Sequence, residues 1–143
     1  MSDSRQKVLF VCFGNMIRSQ MAEGFAREFG DAFLDVYSAG VSPMGVVSEE
    51  AIQVMGEKGI DISGHRSKGL TEVPLSEMDY VISLCDVPAA TLCPSGFKGK
   101  AIDSPVRDPL GKTFDNFRAA RDSIEKKVRK LVQLIWQGGK EGE

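Results

Sequence analysis

Five residues separate Cys12 from Arg18, and Ser19 follows at once, in the stretch Val8-Leu9-Phe10-Val11-Cys12-Phe13-Gly14-Asn15-Met16-Ile17-Arg18-Ser19. That spacing lets a loop curl around a central sulfur. The backbone N–H groups of Phe13, Gly14, Asn15, Met16 and Ile17 would then converge on a tetrahedral oxyanion, and the planar fork of Arg18 would grip two of its oxygens. Gly14 and Asn15 are residue types that tolerate the left-handed backbone a tight nest requires. A helix start behind the loop, together with Arg18, would hold Cys12 as a thiolate, and the Ser19 hydroxyl could donate to the sulfur. The chemistry these residues suit is attack by sulfur on a bound oxyanion.

The loop can do this only if a strand ends at Cys12 and a helix begins at Arg18. Val8 to Val11 are all apolar, as in a strand buried on both faces of a parallel sheet. Met21, Ala22, Phe25, Ala26 and Phe29 repeat at helical spacing, which predicts a helix over 18–29 closed by Gly30 as its C-cap. Further along, Leu34 to Ser38 reads as a second strand. Ser48 should cap a helix that runs through Lys58 and stops at Gly59. Tyr80 to Leu84 is a third strand and Lys100 to Asp103 a short fourth. Thr113 should cap a last helix whose stripe is Phe117, Ala120, Ile124, Val128, Leu131 and Ile135, ended by Gly138-Gly139. Strands alternating with helices predict an α/β fold: one domain, 1–143, with an open parallel four-stranded sheet and helices on both faces. Its site should lie outside the C-terminal ends of the strands. Cys12 and Cys85 then fall on the same rim.

A second stretch carries sulfur: Cys85-Asp86-Val87-Pro88-Ala89-Ala90-Thr91-Leu92-Cys93-Pro94. Eight positions separate Cys85 from Cys93, so joining them would require the segment to loop out. Pro88, Pro94 and the small residues between them permit that. The spacing is too wide for a zinc knuckle, and the chain has one histidine, so no metal is expected. By themselves Cys85 and Cys93 read equally as buried fillers or as redox thiols. Asp108, in Arg107-Asp108-Pro109, is the candidate general acid, because a bound anion favours its protonated form. An Asp before Pro is also an ordinary turn former, and Asp103 is the rival carboxylate.

Composition sets the bounds. The chain has 143 residues, 42% hydrophobic and 27% charged, enough for one ordinary core. A net charge of −2 gives no basic surface for nucleic acid. No apolar run approaches the ~20 residues of a membrane span, and the polar start Met1 to Gln6 does not read as a signal peptide. A cytoplasmic monomer with no bound cofactor is expected. Three cysteines, an odd number, argue against a structural disulfide framework.

The loop Cys-x-Gly-Asn-x-x-Arg-Ser resembles that of the low-molecular-weight protein tyrosine phosphatases and of the thioredoxin-coupled arsenate reductases that share their fold. Gln20-Met21-Ala22-Glu23-Gly24, Tyr37-Ser38-Ala39-Gly40 and Asp108-Pro109-Leu110-Gly111-Lys112 resemble the reductase branch, over about Lys7 to Ile135. The resemblance implies that Cys12 attacks arsenate held by the loop and Arg18, with Asp108 as acid. Phosphate or sulfate would fit the same loop. It further implies that Cys85 releases arsenite by forming a Cys12–Cys85 disulfide, and that Cys93 carries the oxidation outward as Cys85–Cys93 to thioredoxin. Three sulfurs are thus expected to converge at one sheet edge.

Two positions depart from the pattern. Ile17 stands where some reductases carry a further cysteine. Lys68, in His65-Arg66-Ser67-Lys68, stands where some relatives use an aspartate to hold potassium. Its ammonium should take the cation's place, pairing with Glu23 or supporting Asn15, while His65 is expected to be structural. The alternatives are a phosphotyrosine phosphatase, which usually grips its substrate with aromatic residues beside the Asp-Pro, or a non-catalytic oxyanion or thiol sensor. Beside this Asp-Pro the nearest aromatic is Phe114, so no such wall is expected.

Overall fold

The four strands read from the sequence pair into one parallel sheet. In this computed structural model, which describes residues 5–141, β1 (Gln6–Cys12) lies between β2 (Leu34–Gly40) and β3 (Tyr80–Ser83), with β4 (Lys100–Asp103) beyond β3. Met1 to Ser4, part of the polar start read above as lacking a signal peptide, lie outside the described residues. Cys12 pairs with Gly40, Val11 with Ser83, and Ser83 with Asp103, so the C-terminal ends of all four strands share one edge. The chain leaves β1 toward β2 and then returns to the other side of β1 for β3. The crevice of an open sheet forms at such a reversal, and the loop after Cys12 sits at its mouth.

Strand periodicity splits β1 between two cores. Val8, Phe10 and Cys12 face the larger one, closed by α1 (Arg18–Gly30), α2 (Glu49–Gly56) and α4 (Phe114–Glu141). Leu9 and Val11 face a smaller cluster with Ala39, Met78, Val81 and Ala89. Over it lie the single turn α3 (Ala89–Leu92) and the 3-10 turns Leu70–Glu72 and Leu75–Glu77. Both faces carry helices, but very unequally. No described helix is long and apolar enough to cross a membrane.

Three helix ends differ from expectation. Gly30 is no left-handed C-cap but the last residue of α1. A Cβ there would come within 2.5 Å of Leu34 Cδ1, so the glycine serves close packing of helix on strand. Helix α2 stops at Gly56, two residues short of Lys58, and Gly59 reverses the chain at φ +77°. Helix α4 continues through Gly138 and Gly139 to Glu141, because glycine permits a helix stop without imposing one. Its buried stripe also includes Val132 and the guanidinium-bearing Arg121, while Leu131 is only half-buried. The two caps agree with the reading: Ser48 Oγ accepts from Ala51 N–H, and Thr113 Oγ1 from Asn116 N–H at 3.3 Å.

Candidate active site

The loop after β1 is pinned from outside by its carbonyls. Those of Cys12, Phe13, Gly14 and Met16 accept from the amides of Val41, Ser42, Met44 and Ser48 at 2.8–3.1 Å. The Asn15 carbonyl accepts from Gln20 Nε2 at 3.1 Å. In a trans peptide the C=O and the next N–H point in opposite directions. With these carbonyls engaged on the outer side, the N–H groups of Phe13, Gly14, Asn15, Met16 and Ile17 are left for the opposite side of the loop. Gly40, paired with Cys12, lies directly behind: a Cβ there would meet Asn15 N at 2.8 Å.

Asn15 keeps the loop in shape. At φ +48° it is the one described non-glycine residue with positive φ, and it is fully buried. Its Nδ2 donates to Ser19 Oγ (2.7 Å) and Ser38 Oγ (3.0 Å), while its Oδ1 accepts from Gln20 Nε2 (3.0 Å) and the Lys68 backbone N–H (2.7 Å). Ser38 in turn donates to Glu23 Oε1 at 2.6 Å. The order of donors is fixed from this carboxylate outward. Ser38 gives its proton to Glu23, so Asn15 must give to Ser38 and Ser19. Ser19, receiving from Asn15, has its hydroxyl proton free for Cys12 Sγ, 3.0 Å away. A buried carboxylate thus orients a donor toward a sulfur that lies three side chains away.

Lys68 Nζ stands 3.9 Å from Glu23 Oε1 and 3.4 Å from Ser38 Oγ, and donates to the Arg66 carbonyl at 2.7 Å. The ammonium faces Glu23; Asn15 is supported by the lysine's backbone instead. His65 Nδ1 lies 3.0 Å from Gln20 Oε1. Gln20 Nε2 is already donating to Asn15 and to the Arg66 carbonyl, so the imidazole is the donor and its role is structural. Burial pushes both His65 and Lys68 below their ordinary pKa values, with the Glu23 charge opposing.

Arg18 is 8% exposed, and its Nη1 donates to the carbonyls of Leu84 (3.2 Å) and Val106 (3.0 Å). These carbonyls follow β3 and β4, so the guanidinium bridges the ends of three strands. Its Nη2 lies 3.5 Å from Asp108 Oδ2, and Asp108 is partly exposed, with Oδ1 accepting from Leu110 N–H. Asp103 is committed elsewhere: its Oδ1 accepts from Ala89 N–H at 2.7 Å. Of the two candidate carboxylates, only Asp108 stands at the guanidinium.

Phe13, Arg18 and Asp108 are shared walls of two cavities. One is a slot over Cys12 that Met44 and Leu110 also line. The other is a cleft of about 520 Å³ reaching Cys85. Cys12 and Cys85 thus line two cavities that share three walls, while Cys93 lines neither. It packs half-buried against the smaller cluster across the sheet, its Sγ–H donating to the Ala89 carbonyl at 3.3 Å. Of the three sulfurs expected to converge, Cys12 and Cys85 lie on adjoining cavities and in one core, and Cys93 packs against the other. All three are free thiols, and burial pushes the Cys93 thiol upward in pKa.

Sequence reasoning missed the carbonyl clamps on Arg18 and the Glu23–Ser38 support of Asn15. Polar Gln20 and Glu23 amid the apolar stripe of α1 were the available signal. It also missed the slot wall. Phe13 (52% exposed) and Met44 supply apolar surface from the loop itself and from the turn after β2, where no reading of the Asp-Pro segment would look.

The chain matches the family model described as low molecular weight phosphotyrosine protein phosphatase over residues 7–140. It is 37% identical over 134 residues to the glutaredoxin arsenate reductase of Synechocystis sp., covering 91% of this chain and 98% of that protein. Among solved structures, an arsenate reductase in its phosphate-binding state superposes with a TM-score of 0.80 at 36% identity, over 91% of this chain and 98% of that one. An arginine phosphatase from Geobacillus stearothermophilus superposes with a TM-score of 0.86 at 26% identity, over 96% and 97%.

Proposed function

The chain belongs to the low molecular weight phosphotyrosine protein phosphatase family, and from that premise we propose that it is an arsenate reductase working through Cys12, Cys85 and Cys93. The observation that carries this reading is a second free thiol, Cys85, in a cleft that shares its Phe13, Arg18 and Asp108 walls with the slot over the nucleophile. Hydrolysis has no use for it.

The steps follow from what each group can do. Arsenate enters the nest of loop N–H groups, and Arg18 Nε and Nη2 meet its oxygens while Nη1 stays on its carbonyl clamps. Cys12 Sγ attacks arsenic; an As–O bond breaks, and Asp108 protonates the departing oxygen, which leaves as water. Cys85 Sγ then attacks Cys12 Sγ. The S–S bond forms, the As–S bond breaks, and its electron pair stays on arsenic, so arsenate has become arsenite. Cys93 thiolate attacks Cys85 Sγ, Cys12 leaves as the thiolate, and the Cys85–Cys93 disulfide passes to a dithiol protein. Thioredoxin in a reducing cytoplasm is the proposed donor. A relative is named for glutaredoxin, so the two are tested side by side.

The Phe13–Met44–Leu110 slot favours a second reading, hydrolysis of a phosphomonoester with an apolar alcohol. Single substitutions separate the two. Cys12→Ser abolishes both activities. Cys93→Ser keeps one stoichiometric release of arsenite and any aryl phosphate hydrolysis, but stops turnover with either donor. Sustained turnover by the Cys93 variant would overturn the relay. Hydrolysis of aryl phosphate with no arsenite formed by the wild type would leave the second reading standing.

A further inference from the structure

Asp103 is the carboxylate that the anion site does not use. It ends β4, outside the main core, and spends Oδ1 on one bond, from the backbone N–H of Ala89 at 2.7 Å. Ala89 is the first residue of α3, the turn lying between Cys85 and Cys93. The first amides of any helix lack intrahelical acceptors, and the residue before the helix ordinarily supplies one from its side chain. Here that residue is Pro88, which has none. The acceptor comes instead from another strand, fourteen residues on.

The origin of the cap matters. A local cap would travel with the turn and would not resist its departure. A cap borrowed from β4 holds only while α3 lies on β4. On the relay reading, α3 has to leave. Cys85 lines the Arg18-walled cleft, whereas Cys93 is packed in the smaller cluster, its thiol on the Ala89 carbonyl. A disulfide tolerates Cα separations of about 4.4–6.8 Å, and an intact turn between the two residues obstructs that approach. Besides the Asp103 bond, the hydrogen bonds of α3 are internal to the segment, from the Thr91 amide and hydroxyl to the Pro88 carbonyl and from the Cys93 thiol to the Ala89 carbonyl, while Ala89 and Leu92 pack in the smaller cluster.

We propose that Asp103 is a latch on the relay: by holding the Ala89 amide it keeps α3 coiled, delays the approach of Cys93 to Cys85, and stabilises the dithiol against the Cys85–Cys93 disulfide. Asp103 is a positioning residue, since it touches neither the anion nor a sulfur. The inference rests on the relay proposed above. Its consequence is that the oxidised pair is easier for a donor to reduce than it would be without the latch.

The test compares Asp103→Ala, which removes the acceptor, with Asp103→Asn, which keeps an oxygen in its place. Each full-length protein is equilibrated in dithiothreitol redox buffers, and the Cys85–Cys93 disulfide is quantified by thiol alkylation and peptide mass spectrometry. Asp103→Ala is expected to shift the equilibrium about fivefold toward the disulfide, the size of a lost helix cap, or about 20 mV lower in potential for a two-electron couple. Its rate of Cys93 transfer should rise by a similar factor, and Asp103→Asn should stay near wild type. Single-turnover arsenite release, which needs only Cys12 and Cys85, is expected unchanged in both and reports that the variant is folded. An unshifted equilibrium in a folded Asp103→Ala protein would overturn the latch, and so would a shift toward the dithiol. For a variant that does not fold, hydrogen exchange in reduced wild type decides: the Ala89 amide should be protected, and free exchange there contradicts the latch. Turnover by Cys93→Ser is the separate outcome that removes the relay itself.

Discussion

The anion loop and the relay segment leave the same edge of the sheet and are built in opposite ways. Around Cys12, the carbonyls of residues 12 to 16 are each held from outside, and Asn15 uses all four of its side-chain bonds. Between Cys85 and Cys93 lies one turn of helix, tied by three internal contacts and one carboxylate. Ser83 Oγ adds a contact to the Val87 carbonyl at the start of that segment. The contrast separates two demands of one reaction. The nucleophile must meet a tetrahedral anion in a geometry fixed beforehand, since misplaced donors forfeit most of their effect. A thiol that carries oxidation outward has to travel, and elements that move come from the weakly held end of a structure.

The largest expected breach of that contrast is Asn15→Ala. It removes four buried hydrogen bonds and places alanine at φ +48°, so a loss of about 3–5 kcal/mol in urea unfolding is expected. Turnover with arsenate should fall at least about a hundredfold, because Ser19 loses the donor that turns its proton toward Cys12. A near-normal kcat/KM would show that the loop needs no such support. Next in size is pH. Burial holds the Cys93 thiol above its ordinary pKa, and only the thiolate attacks. The second transfer should therefore speed up about tenfold per pH unit through neutrality. A flat transfer rate in rapid-quench experiments would refute this. Thr91→Ala, on the relay side, touches one exposed contact and should change global stability by less than about 0.5 kcal/mol. A loss matching that of Asn15→Ala would erase the distinction between the two regions. The smallest effect is expected from potassium. Lys68 Nζ already stands by Glu23, so exchanging sodium for potassium should leave the rate within about twofold, and a severalfold gain would contradict that.

What could be read beforehand followed the same division. Cys12, Arg18 and the strand and helix around them were legible because oxyanion chemistry demands those residue types at that separation. The place before Pro109 favours Asp108 over Asp103, but both lie in the same stretch and only the fold decides which carboxylate meets Arg18. The distance of Cys93 from the site was equally hidden: α3 is a single turn, and its direction is set by β4 rather than by its own residues. Gly30 misled for a related reason, as close packing on Leu34 and a left-handed cap both call for glycine. The slot wall combines Phe13, Met44 and Leu110 from three separate loops, a meeting that no local pattern announces.

The most direct test uses one equivalent of arsenate and no electron donor. After a single turnover, free thiols are alkylated and the disulfides mapped by mass spectrometry. One arsenite per chain, Cys12 recovered as a free thiol and a Cys85–Cys93 disulfide are predicted. Arsenite formed with Cys85 and Cys93 both still reduced would contradict the three-thiol relay at its core.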